Sequence, residues 1–184
     1  MTDDLSTAGG VAMAAAARSR APAGLAALAV ALIGAATIAG AWFFELVLDI
    51  RPCPLCLEQR YAYYLVIPLA AVLALAAPRA PRRALIVGFA VIAAAMLINA
   101  GLGAYHAGVE WGWWPGPTAC AGTAADLGDA ASLLDRLEGA KVIRCDAVQW
   151  RFLGLSLAGY NLLISLAMAA IAALGIRPIA APAR

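Results

Sequence analysis

Four cysteines carry the most reactive chemistry in this sequence, and they form two pairs of different kinds. Cys53 and Cys56 lie in the motif Cys-Pro-Leu-Cys, where a two-residue spacer permits a small disulfide ring. Motifs of this kind commonly lower the pKa of one thiol, so that it attacks as a thiolate. Closing so short a loop removes little chain entropy from the unfolded state, so it stabilises the fold only slightly. The motif therefore predicts a redox centre.

The second pair, Cys120 and Cys145, brackets a segment of 24 residues. A disulfide that closed this segment could be purely structural, worth about 3 kcal/mol by chain entropy. Beside a Cys-x-x-Cys motif, however, a second pair can exchange with the first through mixed disulfides. Zinc is a competing interpretation, but structural zinc sites usually have two close-spaced ligand pairs, and this pair is far apart. We therefore predict two redox-active pairs and no metal site.

Two further side chains could act beside these thiols. Arg60 follows Cys56 by four residues, and residues i and i+4 of a helix share a face. A guanidinium there would favour a Cys56 thiolate and negative charge on a nearby acceptor. The alternative is an interfacial arginine that extends to the lipid headgroups. His106, the single histidine of the chain, is either part of the site or a solvated loop residue.

Long apolar segments must position these residues. Of the 184 residues, 64% are hydrophobic and only 13% are charged, too few charges to cover a soluble domain. Basic residues do not cluster with aromatic ones, which argues against a nucleic-acid partner. Four apolar blocks approach the roughly 17–25 residues that a membrane-spanning helix needs. The predicted spans are about 24–48, 61–77, 84–105 and 152–176. We therefore predict an all-α membrane protein, a bundle of four transmembrane helices.

Arginines in the connections predict how these spans are oriented, because cytoplasmic loops carry an excess of positive charge. Three arginines lie in the 79–83 connection, and others lie in both terminal tails. The remaining connections mix acidic and basic residues. We therefore predict that the 1–23 tail, the 79–83 loop and the 177–184 tail are cytoplasmic. The loops 49–60 and 106–151, which carry the cysteine pairs, are predicted to be periplasmic.

The segments around the first span and in the long outer loop allow further predictions. Arg18 and Arg20 before an apolar stretch could mark a cleaved signal peptide, whose hydrophobic region is about 7–15 residues long. This apolar stretch continues through Phe44, so we retain it as a span. The Ala- and Gly-rich residues before Arg18 predict a disordered tail. Helical spacing of apolar residues between Leu127 and Leu137 predicts a short amphipathic helix on the membrane surface.

Two motifs resemble the DsbB family of bacterial disulfide-generating membrane proteins. The stretch Arg-Pro-Cys-Pro-Leu-Cys-Leu-Glu-Gln-Arg, from Arg51 to Arg60, is similar to the first periplasmic loop of that family. Cys145-Asp-Ala-Val-Gln-Trp-Arg-Phe-Leu-Gly-Leu resembles the family's passage from its last cysteine into the fourth helix. The resemblance covers about residues 24–176. The vitamin K epoxide reductase family is a rival, but its loop cysteines precede the Cys-x-x-Cys motif, whereas here the motif comes first.

The resemblance implies an oxidoreductase of the bacterial inner membrane. It would reoxidise a DsbA-like periplasmic protein of the thioredoxin fold and pass the electrons to a membrane quinone, either ubiquinone or menaquinone. The reduced donor would attack a disulfide between Cys120 and Cys145 at Cys120. The freed Cys145 would then exchange with the first pair at Cys53.

The resemblance also implies how the electrons would reach the quinone. Cys56, released as a thiolate, would meet the quinone, with Arg60 stabilising the negative charge and His106 nearby. Gln59 stands where relatives can carry an acidic residue. A hypothesis from a different class is a non-catalytic membrane scaffold whose loops are held by two inert disulfides. An enzyme's Cys-x-x-Cys pair should be readily reduced and reoxidised by quinone, whereas an inert disulfide should resist.

Overall fold

Four helices make up most of the structure, a computed structural model that describes residues 3–117 and 144–180 of the chain. Within those ranges the helices are α1 (Asp3–Leu46), α2 (Pro54–Ala76), α3 (Arg82–Glu110) and α4 (Leu157–Ala180). Two antiparallel strands, β1 (Arg151–Phe152) and β2 (Leu155–Ser156), form a small hairpin directly before α4. Side chains are described over residues 20–117 and 144–179.

Each of these helices contains a stretch that is long and apolar enough to cross a membrane. The candidate spans are Arg20–Leu46, Pro54–Ala76, Arg82–Glu110 and Leu157–Ile179. Large apolar side chains such as Leu25, Leu75 and Ile98 are exposed on the outside of the bundle. In water such a surface would be costly, whereas lipid chains solvate it. The predicted all-α bundle of four transmembrane helices is confirmed.

The helix boundaries differ from the sequence predictions in ways that matter for the thiols. Helix α2 begins at Pro54 and α3 continues to Glu110, so Cys56, Arg60 and His106 all lie on helices. The predicted spans stopped short of these residues because Arg60 and His106 interrupt the apolar blocks, whereas the helices continue past both. The fourth helix begins only at Leu157, because the hairpin occupies the residues before it.

The N-terminal segment also differs from its prediction. Helix α1 begins at Asp3, so most of the residues that were expected to form a disordered tail are helical. The many alanines before Arg18 explain this, because alanine has the highest helix propensity. The predicted amphipathic helix between Leu127 and Leu137 lies outside the described residues, as does Cys120.

Close packing of α3 against α4 fixes the part of the bundle that carries His106. At Gly103 a Cβ atom would lie only 3.0 Å from the backbone nitrogen of Leu162 and 3.3 Å from the carbonyl oxygen of Ala158. A residue without a side chain lets the two backbones approach this closely, as is common between membrane helices. The last two turns of α3 are therefore held against the first turns of α4.

The two ends of the bundle differ in character. At one end the Arg20 guanidinium donates to the carbonyl oxygen of Ala80, at 2.9 Å, and so ties α1 to the arginine-rich connection between α2 and α3. At the opposite end lie the start of α2, the end of α3 and the hairpin. The described cysteines gather at this second end.

Candidate functional site

The Cys53–Cys56 pair is positioned by the start of α2. Cys53 is the N-cap residue, and its sulphur accepts a hydrogen bond from the backbone N–H of Cys56 at 3.3 Å. Pro54 follows at the first helical position, where its missing N–H costs nothing and its fixed φ suits the helix. Both thiols are free, and their Sγ atoms lie 3.1 Å apart. The pair is therefore a reduced dithiol held ready to form a disulfide.

His106, on the last turns of α3, lies beside this pair. Its Nε2 is 3.6 Å from the sulphur of Cys53, and its Nδ1 is 3.0 Å from the side-chain amide nitrogen of Gln59. The ring is only 3% exposed, and it also hydrogen-bonds to the backbone of Cys145. His106 is thus buried at the site and is not a solvated loop residue.

A polar network inside the bundle orients Gln59 and, through it, His106. The Tyr63 hydroxyl donates to Oδ1 of Asn161 at 2.7 Å, and the side-chain amide of Asn161 donates to Oε1 of Gln59. This leaves the NH₂ group of Gln59 to donate to Nδ1 of His106. A neutral imidazole that accepts at Nδ1 carries its proton on Nε2, which faces Cys53.

Cys53 has the properties of a thiolate. The hydrogen bond with Cys56 is the largest effect that lowers the pKa of Cys53, burial opposes it, and the hydrogen bond from His106 adds to it. Together they lower the pKa of Cys53 to about 4. The partial positive charge of the α2 N-terminus acts in the same direction. At neutral pH the reduced pair therefore carries its negative charge on Cys53.

This assignment predicts an unusual titration. In reduced protein with Cys120→Ser and Cys145→Ser, kept in chelator, thiolate ultraviolet absorbance should disappear only as the pH falls through about 4. An ordinary cysteine would lose it near about pH 8.5. The disulfide form of the same protein supplies the baseline. His106→Phe should raise the midpoint, because it removes the hydrogen bond from Nε2–H to the Cys53 sulphur. A midpoint at an ordinary thiol pKa would contradict the assignment.

Glu110 is a site residue that the sequence reasoning missed, because it was counted among the mixed charges of an outer loop. Helix α3 continues through it, so Glu110 lies one turn after His106 and its side chain is only 7% exposed. Its Oε1 is 4.0 Å from Nε2 of His106, and Ser156 hydrogen-bonds to its carboxyl group. Its Oε2 has no hydrogen-bond partner among the described residues. The i, i+4 spacing of histidine and glutamate was the available signal.

Arg60 lies on α2, one turn after Cys56, as predicted, but it has a partner that was not foreseen. Its guanidinium donates to Oε2 of Glu45 on α1 at 2.6 Å. The two side chains are 13% and 32% exposed, respectively. Arg60 therefore forms a largely buried ion pair between two helices and does not extend to lipid headgroups.

A cavity of about 390 Å³ opens beside these groups, between α1, α2, α4 and the C-terminal end of α3. Apolar side chains such as Ile38, Phe44 and Ile164 form much of its wall. Its polar lining includes both thiols of the pair, Arg60, His106 and Glu110. Among the described residues that line the cavity, Glu110 is the one carboxylate. The cavity thus combines apolar walls with a few convergent polar groups, as small-molecule sites commonly do.

The second cysteine pair reaches the first through Cys145. Cys145 is disulfide-bonded and fully buried, and it packs with Cys53, Leu55 and Val109 in one apolar cluster. Arg144 and Asp146, which flank Cys145 in the chain, form an ion pair. The structure therefore brings Cys53, Cys56, His106 and Cys145 together, while Cys120 lies outside the described residues.

Comparisons with known proteins agree on one family. Residues 23–175 match the family model described as disulfide bond formation protein DsbB. The disulfide bond formation protein B of Polaromonas sp. strain JS666 is 28% identical over 153 residues, which cover 77% of this chain and 83% of that protein. The matched residues run from the start of the first membrane-spanning stretch almost to the end of α4, and they include all four cysteines.

Proposed function

This chain belongs to the DsbB family of disulfide bond formation proteins, and we propose that it reoxidises a periplasmic DsbA-like dithiol and passes the electrons to a membrane quinone. The observation that carries the proposal is the burial of Cys145 in one apolar cluster with Cys53, which itself lines an apolar cavity. This packing gives electrons a route from the second cysteine pair to the first. Neither an inert scaffold nor a single structural disulfide requires it.

The first steps are thiol–disulfide exchanges. A thiolate of the donor attacks Cys120, which breaks a Cys120–Cys145 disulfide and frees the sulphur of Cys145. That sulphur attacks Cys53, so a Cys53–Cys145 bond forms, the Cys53–Cys56 bond breaks and Cys56 leaves as a thiolate. The donor's second thiol then releases the oxidised donor from Cys120. Cys120 re-forms its disulfide with Cys145, and the first pair is left as a dithiol.

The described cysteines correspond to the end state of these exchanges. Cys53 and Cys56 are free thiols while Cys145 is disulfide-bonded. This combination corresponds to the form in which electrons have already reached the first pair. The low pKa of Cys53 also fits an exchanging sulphur, because a more acidic thiol is a better leaving group.

The cavity fits a quinone, which is a flat apolar ring with two oxygen acceptors. Its apolar walls suit the ring, and the Arg60 guanidinium and the Nε2–H of His106 can donate to the oxygens. When bound, the quinone supplies an acceptor for two electrons and two protons. Cys56 is the more exposed of the two thiols and lies one helical turn from Arg60. While Cys53 is bonded to Cys145, Cys56 carries the negative charge towards the cavity. After Cys145 returns to Cys120, the Cys53–Cys56 dithiol would give two electrons and two protons to the quinone and re-form its disulfide.

Glu110 is placed to help position the proton that His106 carries in the same reaction. Gln59, which lies at Nδ1 of His106, has no carboxyl group. The carboxyl group nearest His106 is that of Glu110, which lies on the Nε2 side of the ring. Gln59 fixes the proton of a neutral His106 on Nε2, and that nitrogen lies 3.6 Å from the Cys53 sulphur and 4.0 Å from the Glu110 carboxyl group. We assign Glu110 the positioning of His106 and of its proton.

We further propose that the cysteine end of the bundle faces the periplasm and that the protein lies in the bacterial inner membrane. The 79–83 connection and Arg20 lie at the opposite end, where the excess of arginine belongs on the cytoplasmic side. Disulfide exchange also needs an oxidising compartment, which the periplasm provides.

The proposal is tested with purified protein in detergent, given a reduced thioredoxin-fold donor and a soluble ubiquinone or menaquinone analogue. We expect quinone absorbance to fall by one quinone for each donor dithiol oxidised, because both are two-electron couples. The faster of the two analogues identifies the acceptor class. If neither quinone is reduced and the Cys53–Cys56 disulfide resists a dithiol reductant, the chain is a scaffold with inert disulfides.

A further inference from the structure

Three metal-ligating atoms converge at the reduced site. The sulphurs of Cys53 and Cys56 and a ring nitrogen of His106 all lie within 4.8 Å of one another. The two sulphurs are 3.1 Å apart, and the Cys53 sulphur is 3.6 Å from Nε2 of His106. In a tetrahedral zinc site the metal lies about 2.3 Å from sulphur and about 2.0 Å from nitrogen. Such ligands are then separated by roughly 3.5–3.8 Å, so small side-chain movements would complete the geometry.

We propose that the dithiol form of this site binds one divalent cation of the zinc class, and that the bound cation reversibly blocks the thiol chemistry. Two thiolates and an imidazole are ligands that zinc prefers, while magnesium and calcium prefer oxygen. The sequence spacing predicted no metal site, because the second cysteine pair is far apart. The fold instead completes a three-ligand set with His106, which it brings from 50 residues further along the chain.

The site is selective for the redox state of the protein. When the cation binds, two metal–sulphur bonds and one metal–nitrogen bond form, any proton on the sulphurs passes to solvent, and no sulphur changes its oxidation state. In the disulfide form the sulphurs are bonded to each other and no thiolate is available. Three protein ligands leave a fourth position for water, as in zinc sites that remain open. The unpartnered Oε2 of Glu110 offers an acceptor for that water.

Gln59 determines how well His106 can serve as a ligand. A metal on Nε2 requires the ring proton to lie on Nδ1, where Gln59 now presents its NH₂ group. Gln59 must therefore turn its amide oxygen towards His106, at the expense of its hydrogen bond from Asn161. A carboxylate at position 59 would accept from both neighbours at once. Such an outer partner of a metal-bound histidine typically changes affinity by about 10–100-fold.

Cobalt(II) chloride is the probe for the direct test, because Co²⁺ reports its ligands by absorbance. In full-length protein with Cys120→Ser and Cys145→Ser, reduced and without quinone, we expect one equivalent of Co²⁺ to produce a thiolate-to-metal absorption band. Zinc chloride should abolish the band, and the disulfide form should never show it. His106→Ala should weaken binding at least tenfold, and Gln59→Glu should strengthen it at least tenfold. The circular dichroism of each variant verifies that it is folded.

A second measurement concerns the blocking effect, which alone rests on the proposed function. Zinc chloride added to the wild-type protein during quinone reduction should stop turnover, and a chelator should restore it. If reduced protein shows no cobalt band, or if the band is the same in the disulfide form, the metal site does not exist. The spectral test needs no turnover, so its failure is distinct from a failure of the proposed function.

Discussion

Replacing Cys56 by serine should reduce quinone turnover at least roughly 1,000-fold, the scale seen when a reacting nucleophile is removed. Serine keeps the size and a hydrogen-bonding group at this position, so the N-terminal turn of α2 should still form. It cannot form a disulfide or pass an electron pair to an acceptor. The measurement is quinone absorbance with a saturating reduced donor, compared between the wild type and the variant.

The same variant should still carry out the earlier exchange, and this separates a chemical defect from misfolding. In Cys56→Ser the free thiolate of Cys53 shares one buried cluster with the disulfide-bonded Cys145, so it should attack Cys145, form a Cys53–Cys145 disulfide and release Cys120 as a thiol. Peptide mass spectrometry without reductant identifies that bond. The matched variant Cys53→Ser retains Cys56 and should lack the bond. Full turnover by Cys56→Ser would refute the proposed route of the electrons.

The sequence predicted those parts of the protein that depend on local patterns. Long apolar blocks identified the four helices, because crossing a bilayer demands about 20 apolar residues. The spacing of Cys53 and Cys56 predicted that the two thiols lie within reach of each other, because only two residues separate them. The i, i+4 relation placed Arg60 one turn from Cys56 for the same reason.

What the sequence did not predict depends on contacts between distant residues. Glu45 is 15 positions from Arg60 and pairs with it only because α1 ends beside the start of α2. Gln59 and His106 are 47 positions apart and meet only in the folded bundle. Glu110 was missed because a charged residue normally ends an apolar span. Here the helix continues, because Ser156 and His106 line the pocket that takes the carboxyl group.

Replacing Arg60 by alanine should lower kcat/KM for the quinone roughly 100-fold, as when a donor to developing negative charge is removed. The loss has two causes. The cavity loses a guanidinium, and Glu45 is left as an unpaired, partly buried carboxylate beside it, which disfavours further negative charge. Donor exchange at Cys120 should change little. Quinone kinetics at saturating donor and the rate of a single donor exchange report the two sides separately.

The variant Glu45→Gln distinguishes an electrostatic role of Arg60 from a purely structural role of the same ion pair. If Arg60 served only to join α1 to α2, breaking the pair from either side would have the same effect on stability and on turnover. If its charge acts on the acceptor, Glu45→Gln should keep quinone use near or above the wild-type rate, because the guanidinium is released towards the cavity. Arg60→Lys should restore part of the loss, since it returns the charge without the planar fork. A slowed donor exchange in Arg60→Ala with unchanged quinone kinetics would rule out this role for Arg60.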